Sequence, residues 1–343
     1  MAKLTMVLLS LGLGLIAGML ASLFKVPLPW MLGPLGAVMI ASLCGVKLNI
    51  PAQLRSGSRS MVGLILGATV TLETLDRVHE WPLSLLLLVL GATLITVFSS
   101  LYFFYVARFD RLTSVSASLP GAISTIPLVA IQMGANPRQV VLPHLFRVTL
   151  IVLVVPPLFA TWQGIELDAS SNSFDFDLWG KNLWILLTVA PAWLLAKVMR
   201  FPIPELTGPL FVSAALSLAG YQLGLPDWLF ALTFIVLGSS IGVRFYGMPW
   251  QMLAGTGRHA LVGTFLTLAI SALVAFGIHR LTEVPLPVAL LAVTPGGIAE
   301  MTILAAALGV DPVFVAFHQI FRSILINLLS PFLLRRFGGQ EIP

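Results

Sequence analysis

Charge is scarce in this sequence. Only 10% of its 343 residues are Asp, Glu, Lys or Arg, against roughly 25% in an ordinary soluble domain. That deficit excludes a soluble globular chain. Cysteine is scarcer still: a lone Cys44 rules out an intrachain disulfide, and no CxxC or HExxH spacing offers a zinc site. No cluster of His and carboxylates has the geometry of an oxygenase metal centre, so no cofactor, no metal and no catalytic residue is expected. The 19 Lys and Arg outnumber the 14 Asp and Glu, yet they are scattered through short connections. Scattered basic residues suit topology determination and not nucleic-acid binding. What fills the chain instead is apolar: 58% hydrophobic residues and a mean hydropathy of +0.99.

The apolar residues fall in runs of bilayer-spanning length. In the first half these cover about 4–24, 30–45, 56–72, 83–106, 114–134 and 139–161. Runs such as LSLLLLVLGATLITVF, 83–98, are apolar on every face, so helices carry the span and not the alternating strands of a barrel. Lys3 followed by an apolar run has the look of a secretory signal. The run continues to Phe24 with no A-x-A-like site, which favours a retained first helix.

The second half repeats the first at a constant offset of 175 residues. Pro27, Pro29, Gly33, Pro34 and Leu35 meet Pro202, Pro204, Gly208, Pro209 and Leu210. Gly63 and Gly67 meet Gly238 and Gly242; Pro120 and Gly121 meet Pro295 and Gly296; Arg147 meets Arg322. The division is therefore a first membrane repeat, 1–161, an extracytoplasmic linker, 162–181, and a second repeat, 182–343.

Orientation rests on the fifth segment of each half. SLPGAISTIP and VTPGGIAEM are broken by Pro and Gly near the middle, and backbone freed at that depth must be shielded by protein or line a cavity, as in a re-entrant hairpin. With that segment re-entrant, each half crosses five times and the second copy is inverted. An N-terminus inside then puts Lys3, Lys47, Arg55, Arg59, Arg108, Arg111, Arg138, Lys197, Arg200, Arg244, Arg258, Arg335 and Arg336 on the cytoplasmic side. Only Lys25, Arg77, Lys181 and Arg280 face out, the asymmetry expected of an inner membrane protein with both termini cytoplasmic. The expected fold is an all-α polytopic membrane protein: two inverted repeats, each of about five transmembrane helices plus one broken or re-entrant hairpin.

Broken segments at the midplane are where secondary transporters place solute and ions. Candidate binding residues are thus Pro120, Gly121, Ser124 and Thr125 in the first copy and Gly296 and Gly297 in the second. Glu300, inside the second hairpin, reads as a proton or cation site. The alternative is a first-turn carboxylate that merely complements the helix dipole. Arg147 and Arg322 lie inside apolar helices, with His144 and Gln319 three residues before them on the same face. A guanidinium fork suits a carboxylate solute; capping hairpin carbonyls is the alternative. Asn136 and Asp311 read as helix N-caps. Glu205 reads as a first-turn acid, and the paired GxxxG glycines as close helix contacts. Trp30, Trp81, Trp162, Trp179, Trp184 and Trp228 read as interfacial anchors.

PLPWMLGPLG with PIPELTGPL, the paired GxxxG segments, and PGGIAEM followed by GVDP and HQIFR resemble the bacterial AbrB membrane-protein family over nearly the whole chain. The resemblance implies an internal duplication and a fold grouped with cation/proton antiporters and anion transporters. Family members are labelled regulators and sometimes ammonia monooxygenases. A small soluble DNA-binding regulator shares the short name and has no likeness to this chain. PGAIST in the first copy departs from PGGIAE in the second, so a duplicated carboxylate site is not implied.

The expectation is an ion-coupled secondary transporter of a small anionic solute, with H+ or Na+ coupled through Glu300. The other reading is a membrane-embedded regulator that affects gene expression through a partner or indirectly through transport. Expected partners are the lipid bilayer, the solute with its ion and a second copy of the chain; nucleic acid is not among them.

Overall fold

The computed structural model describes residues 2–121, 126–163, 184–201, 203–221 and 226–337. Ser124, Thr125 and most of the 162–181 linker lie outside them. Among the described residues the chain is helical and without strands. Fourteen helices of seven residues or more follow in order: α1 (Ala2–Leu23), α2 (Pro29–Leu43), α3 (Ala52–Ala68), α4 (Trp81–Tyr105), α5 (Arg111–Ser118), α6 (Ile126–Gln132), α7 (Pro137–Gln163), α8 (Ile185–Val198), α9 (Pro204–Leu218), α10 (Asp227–Gly242), α11 (Arg258–Thr282), α12 (Leu286–Val293), α13 (Ile298–Ala307) and α14 (Pro312–Phe337). Six helical stretches, 3–23, 72–105, 137–159, 228–245, 250–282 and 312–337, are long and apolar enough to cross a membrane. This is the build of a polytopic membrane protein. The fifth apolar segment of the first half is interrupted, with α5 ending before Leu119-Pro120 and α6 starting at Ile126. Its counterpart is interrupted between α12 and α13 by Thr294-Pro295-Gly296-Gly297.

Unusual backbone recurs at the same offset as the sequence. The non-glycine residues with left-handed φ are Lys25, Leu28, Arg108, Arg200, Ile203 and Glu283, which form three pairs 175 residues apart. Leu28 (φ 48°) and Ile203 (φ 49°) each precede the first proline of a helix, where a right-handed helical conformation is disfavoured by the proline ring.

The described chain forms two compact units, each drawing on both halves of the sequence. The first comprises residues 1–78, 153–248 and 302–313. In it α3 packs on α9 and α2 packs on α10, with glycines admitting the neighbouring backbone. A Cβ on Gly63 would strike the carbonyl of Leu206, and one on Gly67 the carbonyl of Leu210. Gly238 bears in the same way on the carbonyl of Met31, and Gly242 on Val38, Met39 and the carbonyl of Leu35. Each GxxxG pair is therefore a close helix contact. Residue numbers rise together across both pairs of helices, so α3 runs parallel to α9 and α2 parallel to α10. Ser213 Oγ donates to Leu64 O at 2.7 Å, and Ser217 Oγ donates to Val70 O at 3.0 Å. The outer sides of α1 and α8 expose Leu4, Leu8, Ile16, Leu187, Leu194 and Val198, which suits contact with lipid.

The second unit comprises residues 79–152, 249–301 and 314–343. Its axis is the pair α4 and α11. Gly91 abuts Val274, and Gly263 abuts the ring of Phe103, so these two helices run antiparallel. Leu88, Ile95, Ile270, Val274 and Ile278 make their shared apolar seam. A second cluster holds the first break: Leu119, Ile126, Ala130, Val140 and Ile326.

Candidate functional site

The second unit gathers the ionisable residues that the sequence places within the membrane. α5 is capped by Asp110, whose carboxylate accepts from Thr113 N at 2.8 Å. It delivers the chain to a buried corner at Leu119-Pro120. α7 begins at Pro137, with Asn136 Oδ1 accepting from Arg138 N at 3.1 Å, as an N-cap should. Ten residues further on, Arg147 turns onto the corner and its Nη2 donates to Leu119 O at 3.1 Å. The second copy repeats the construction. Asp311 Oδ1 accepts from Val313 N at 2.9 Å near the start of α14. Arg322 Nη1 then donates to Val293 O at 2.9 Å, and its Nη2 donates to Gln319 Oε1. Gln319 Nε2 donates in turn to Leu291 O at 2.7 Å and Thr294 O at 2.9 Å. Free carbonyls at each helix break are thus met by side chains of the following helix.

Both guanidinium groups are 4% exposed, and Arg322 lies within electrostatic range of Arg147. Among the described residues neither meets a carboxylate. Main-chain carbonyls satisfy some N–H groups but do not cancel two like charges removed from water. The Nε–H of each arginine is buried without a hydrogen-bond partner. An anion is the group that would complete the arrangement chemically.

The other proposed binding residues take separate positions. Pro120 is buried at the first corner and Gly121 half-buried beside it, against Ile126 and Ile326. Gly296 packs on Met301. The carboxylate of Glu300, in the first turn of α13, folds back over the Cα of Gly297. That is where a first-turn acid complements the helix dipole. Glu300 is half-buried and has no ion-pair partner among the described residues. His144 is fully buried, with Nδ1 3.0 Å from Val140 O. Ser124 and Thr125 are outside the described residues.

Three features were not legible from residue types alone. His318 Nδ1 lies 2.8 Å from Phe314 O, and its Nε2 lies 2.8 Å from Ser84 Oγ of α4. A neutral ring protonated on Nδ1 accepts from Ser84. Trp81, read as an interfacial anchor, is instead 5% exposed and packs edge-on to Phe314; a Trp at a helix start fits an interface or a neighbouring helix equally well. In the first unit Glu205, the first-turn acid, forms an ion pair with Arg59 of α3, and its carbonyl accepts from Ser60 Oγ at 2.7 Å. Arg59 is consequently not a loop charge: it lies in the second turn of α3, which starts at Ala52, four residues before the apolar run.

The repeat landmarks, the two broken segments and the arginines that follow them fall within the region matched by the family described as Transition state regulatory protein AbrB, residues 30–338. The chain belongs to the AbrB family. The AbrB-family relatives include the Bacillus subtilis (strain 168) "Uncharacterized protein YhjN", 29% identical across 94% of this chain and 92% of that one. The Escherichia coli (strain K12) "Putative regulator AbrB" is 26% identical across 90% of each chain. No solved structure matches this AbrB-family chain.

Proposed function

We propose that this protein is an ion-coupled secondary transporter of a small anionic solute, built of two inverted copies in a bacterial inner membrane. The observation that carries the reading is the pair Arg147 and Arg322: two buried guanidinium groups within range of each other, at the two helix breaks, without a carboxylate. Such an uncompensated pair is costly in an apolar core and is relieved by a bound anion. Glu300 would carry the coupling ion. It is an acid at the second break that no cation neutralises among the described residues.

Inversion is supported by helix direction. α4 and α11 occupy equivalent positions in the two copies, yet run antiparallel against each other, with Ile95 and its counterpart Ile270 both in the seam. In the first unit α3 runs with α9 and α2 with α10. If the consecutive helices α2 and α3 cross in opposite directions, α9 opposes its own counterpart α2. An odd number of crossings per copy produces this pattern. The five-crossing count and the basic-residue asymmetry agree with it.

A regulator label attaches to the Escherichia coli relative. Solute flux that changes a cytoplasmic metabolite would reach gene expression indirectly, so the label fits a transporter as well. The test is flux in proteoliposomes across a panel of organic anions, with and without a pH or Na+ gradient. Gradient-dependent uptake that loses its dependence in Glu300→Gln is the expected result. Absence of flux across the panel would overturn the transporter reading, and unchanged coupling in Glu300→Gln would overturn the role of that residue.

A further inference from the structure

Beside Arg147, wholly within the second unit, lies a narrow crevice with room for about one water molecule. Its polar wall consists of Arg147, Ser99, Ser118, Thr264 and Thr267, each at least nine-tenths buried. Their protons are not equally committed. Thr264 Oγ1 donates to Ala260 O and Thr267 Oγ1 to Gly263 O, both at 2.8 Å, and Ser118 Oγ donates to Val115 O at 2.8 Å. These three hydroxyls can offer only lone pairs to the crevice. Arg147 Nε and Ser99 Oγ, by contrast, are buried with no hydrogen-bond partner. The crevice therefore sets two uncommitted donors, one of them charged, beside three oxygens left as acceptors.

The polarity belongs to one copy only. The positions 175 residues from Ser99, Ser118, Thr264 and Thr267 are Val274, Val293, Val89 and Ala92. Arg322 is also the more firmly held arginine, donating to Val293 O and Gln319 Oε1, whereas Arg147 donates to Leu119 O alone. Four hydroxyls retained around one arginine, where an apolar residue occupies each corresponding place around the other, are explained by a ligand that visits one copy.

Resting on the transporter reading above, we infer that this crevice is the solute's head-group subsite and that it takes a compact 2-hydroxycarboxylate, with carboxylate on Arg147 and Ser99 and hydroxyl on the threonine side. A halide or plain carboxylate would face the three acceptor oxygens with nothing to donate to them. A zwitterionic amino acid would bring its ammonium group near Arg147. A neutral hydroxyl on the neighbouring carbon satisfies the acceptors without added charge. The crevice must widen to admit the ligand, so the described conformation is the closed, empty one.

The experiment is calorimetric titration and thermal unfolding of the full-length protein in detergent, at constant ionic strength, with glycolate, lactate, acetate, glycine and chloride. Glycolate and lactate are expected to bind and raise the unfolding temperature, with acetate at least about fivefold weaker for want of one hydrogen bond. Ser99→Ala and Thr264→Val should each weaken glycolate by about fivefold, and Arg147→Gln should abolish binding. If Arg147→Gln does not fold, the other two variants still decide. Equal binding of acetate and glycolate, glycolate affinity unmoved by the variants, or no binding by any probe would overturn the subsite. Flux of some other anion in liposomes beside a silent titration removes the subsite and leaves the transporter reading standing. Binding without flux does the reverse.

Discussion

Arg322 lies within electrostatic range of Arg147, and each is tied by its guanidinium to a carbonyl at a helix break, Val293 O for one and Leu119 O for the other. The equivalence is one of position and not of environment. Gln319 stands beside Arg322 where His144 stands beside Arg147. Gln319 bridges the guanidinium to two further carbonyls, Leu291 O and Thr294 O; His144 bonds back to its own helix at Val140 O.

The difference predicts unequal roles. Arg322→Gln removes the donor to Val293 O and releases Gln319, leaving buried acceptors unmet at about 1–3 kcal/mol each. Arg147→Gln leaves one such acceptor and relieves the repulsion between the two arginines. Thermal unfolding in detergent should therefore show a clear loss for Arg322→Gln and a smaller one for Arg147→Gln. The reverse order would mean that Arg147, and not Arg322, clamps its break.

The glycines of α3 predict a second contrast. An alanine Cβ at Gly63 meets the main-chain carbonyl of Leu206, which cannot swing away as a side chain does. α3 and α9 must part, at a cost of about 1–3 kcal/mol. Gly36 has nothing within 4 Å of the same position, so Gly36→Ala should be neutral or stabilising by up to about 1 kcal/mol through helix propensity. Gly238→Ala should reproduce the loss seen at Gly63, because its Cβ meets the carbonyl of Met31. Unfolding temperatures of the three variants check this.

Much of the helix pattern could be read from the sequence because the signals are local. Apolar run length located α1, α2, α4 and α7 to within a few residues, and Pro120 and Pro295 located both breaks. Asn136 and Asp311 announced N-caps by residue type and position. What escaped was set by partners distant in sequence. Arg59 reads as a topology charge until Glu205 is beside it, 146 residues away. Trp81 reads as an anchor until Phe314 covers it. The hydroxyls of Ser99 and Thr264 are ordinary residues of apolar helices, and only the packing of α4 and α11 brings them to one crevice. Arg147 and Arg322 were visible as intramembrane charges, whereas their shared want of a carboxylate is a property of the fold.

Gly297 separates the two readings of Glu300. A Cβ there would overlap the Glu300 carboxylate, which is the free end of a side chain and can rotate aside. Gly297→Ala should cost about 1 kcal/mol, in the range of a poor N-cap, while moving the carboxylate off the start of α13. If Glu300 carries the coupling ion, Gly297→Ala will weaken the gradient dependence of flux as Glu300→Gln does. Gly277→Ala, with open space at its Cβ, will not. Unchanged coupling in Gly297→Ala together with the stability loss would leave Glu300 a helix-start acid only.

The inverted arrangement makes a prediction that needs no solute. Cys44 is the chain's single cysteine and is exposed at the end of α2. Its counterpart 175 residues on, Ala219, is exposed at the end of α9. Basic residues near Cys44, such as Lys47, place that end of α2 on the cytoplasmic side. In opposed copies the end of α9 faces outward. A membrane-impermeant maleimide added to intact cells should therefore spare Cys44 and label Ala219→Cys in a Cys44→Ser background; in inside-out vesicles the pattern should reverse. Parallel copies would place both positions on one side and give them one labelling pattern, whichever way the vesicles face. The two outcomes are exclusive, since an odd number of crossings per copy inverts every position of the second copy and an even number inverts none.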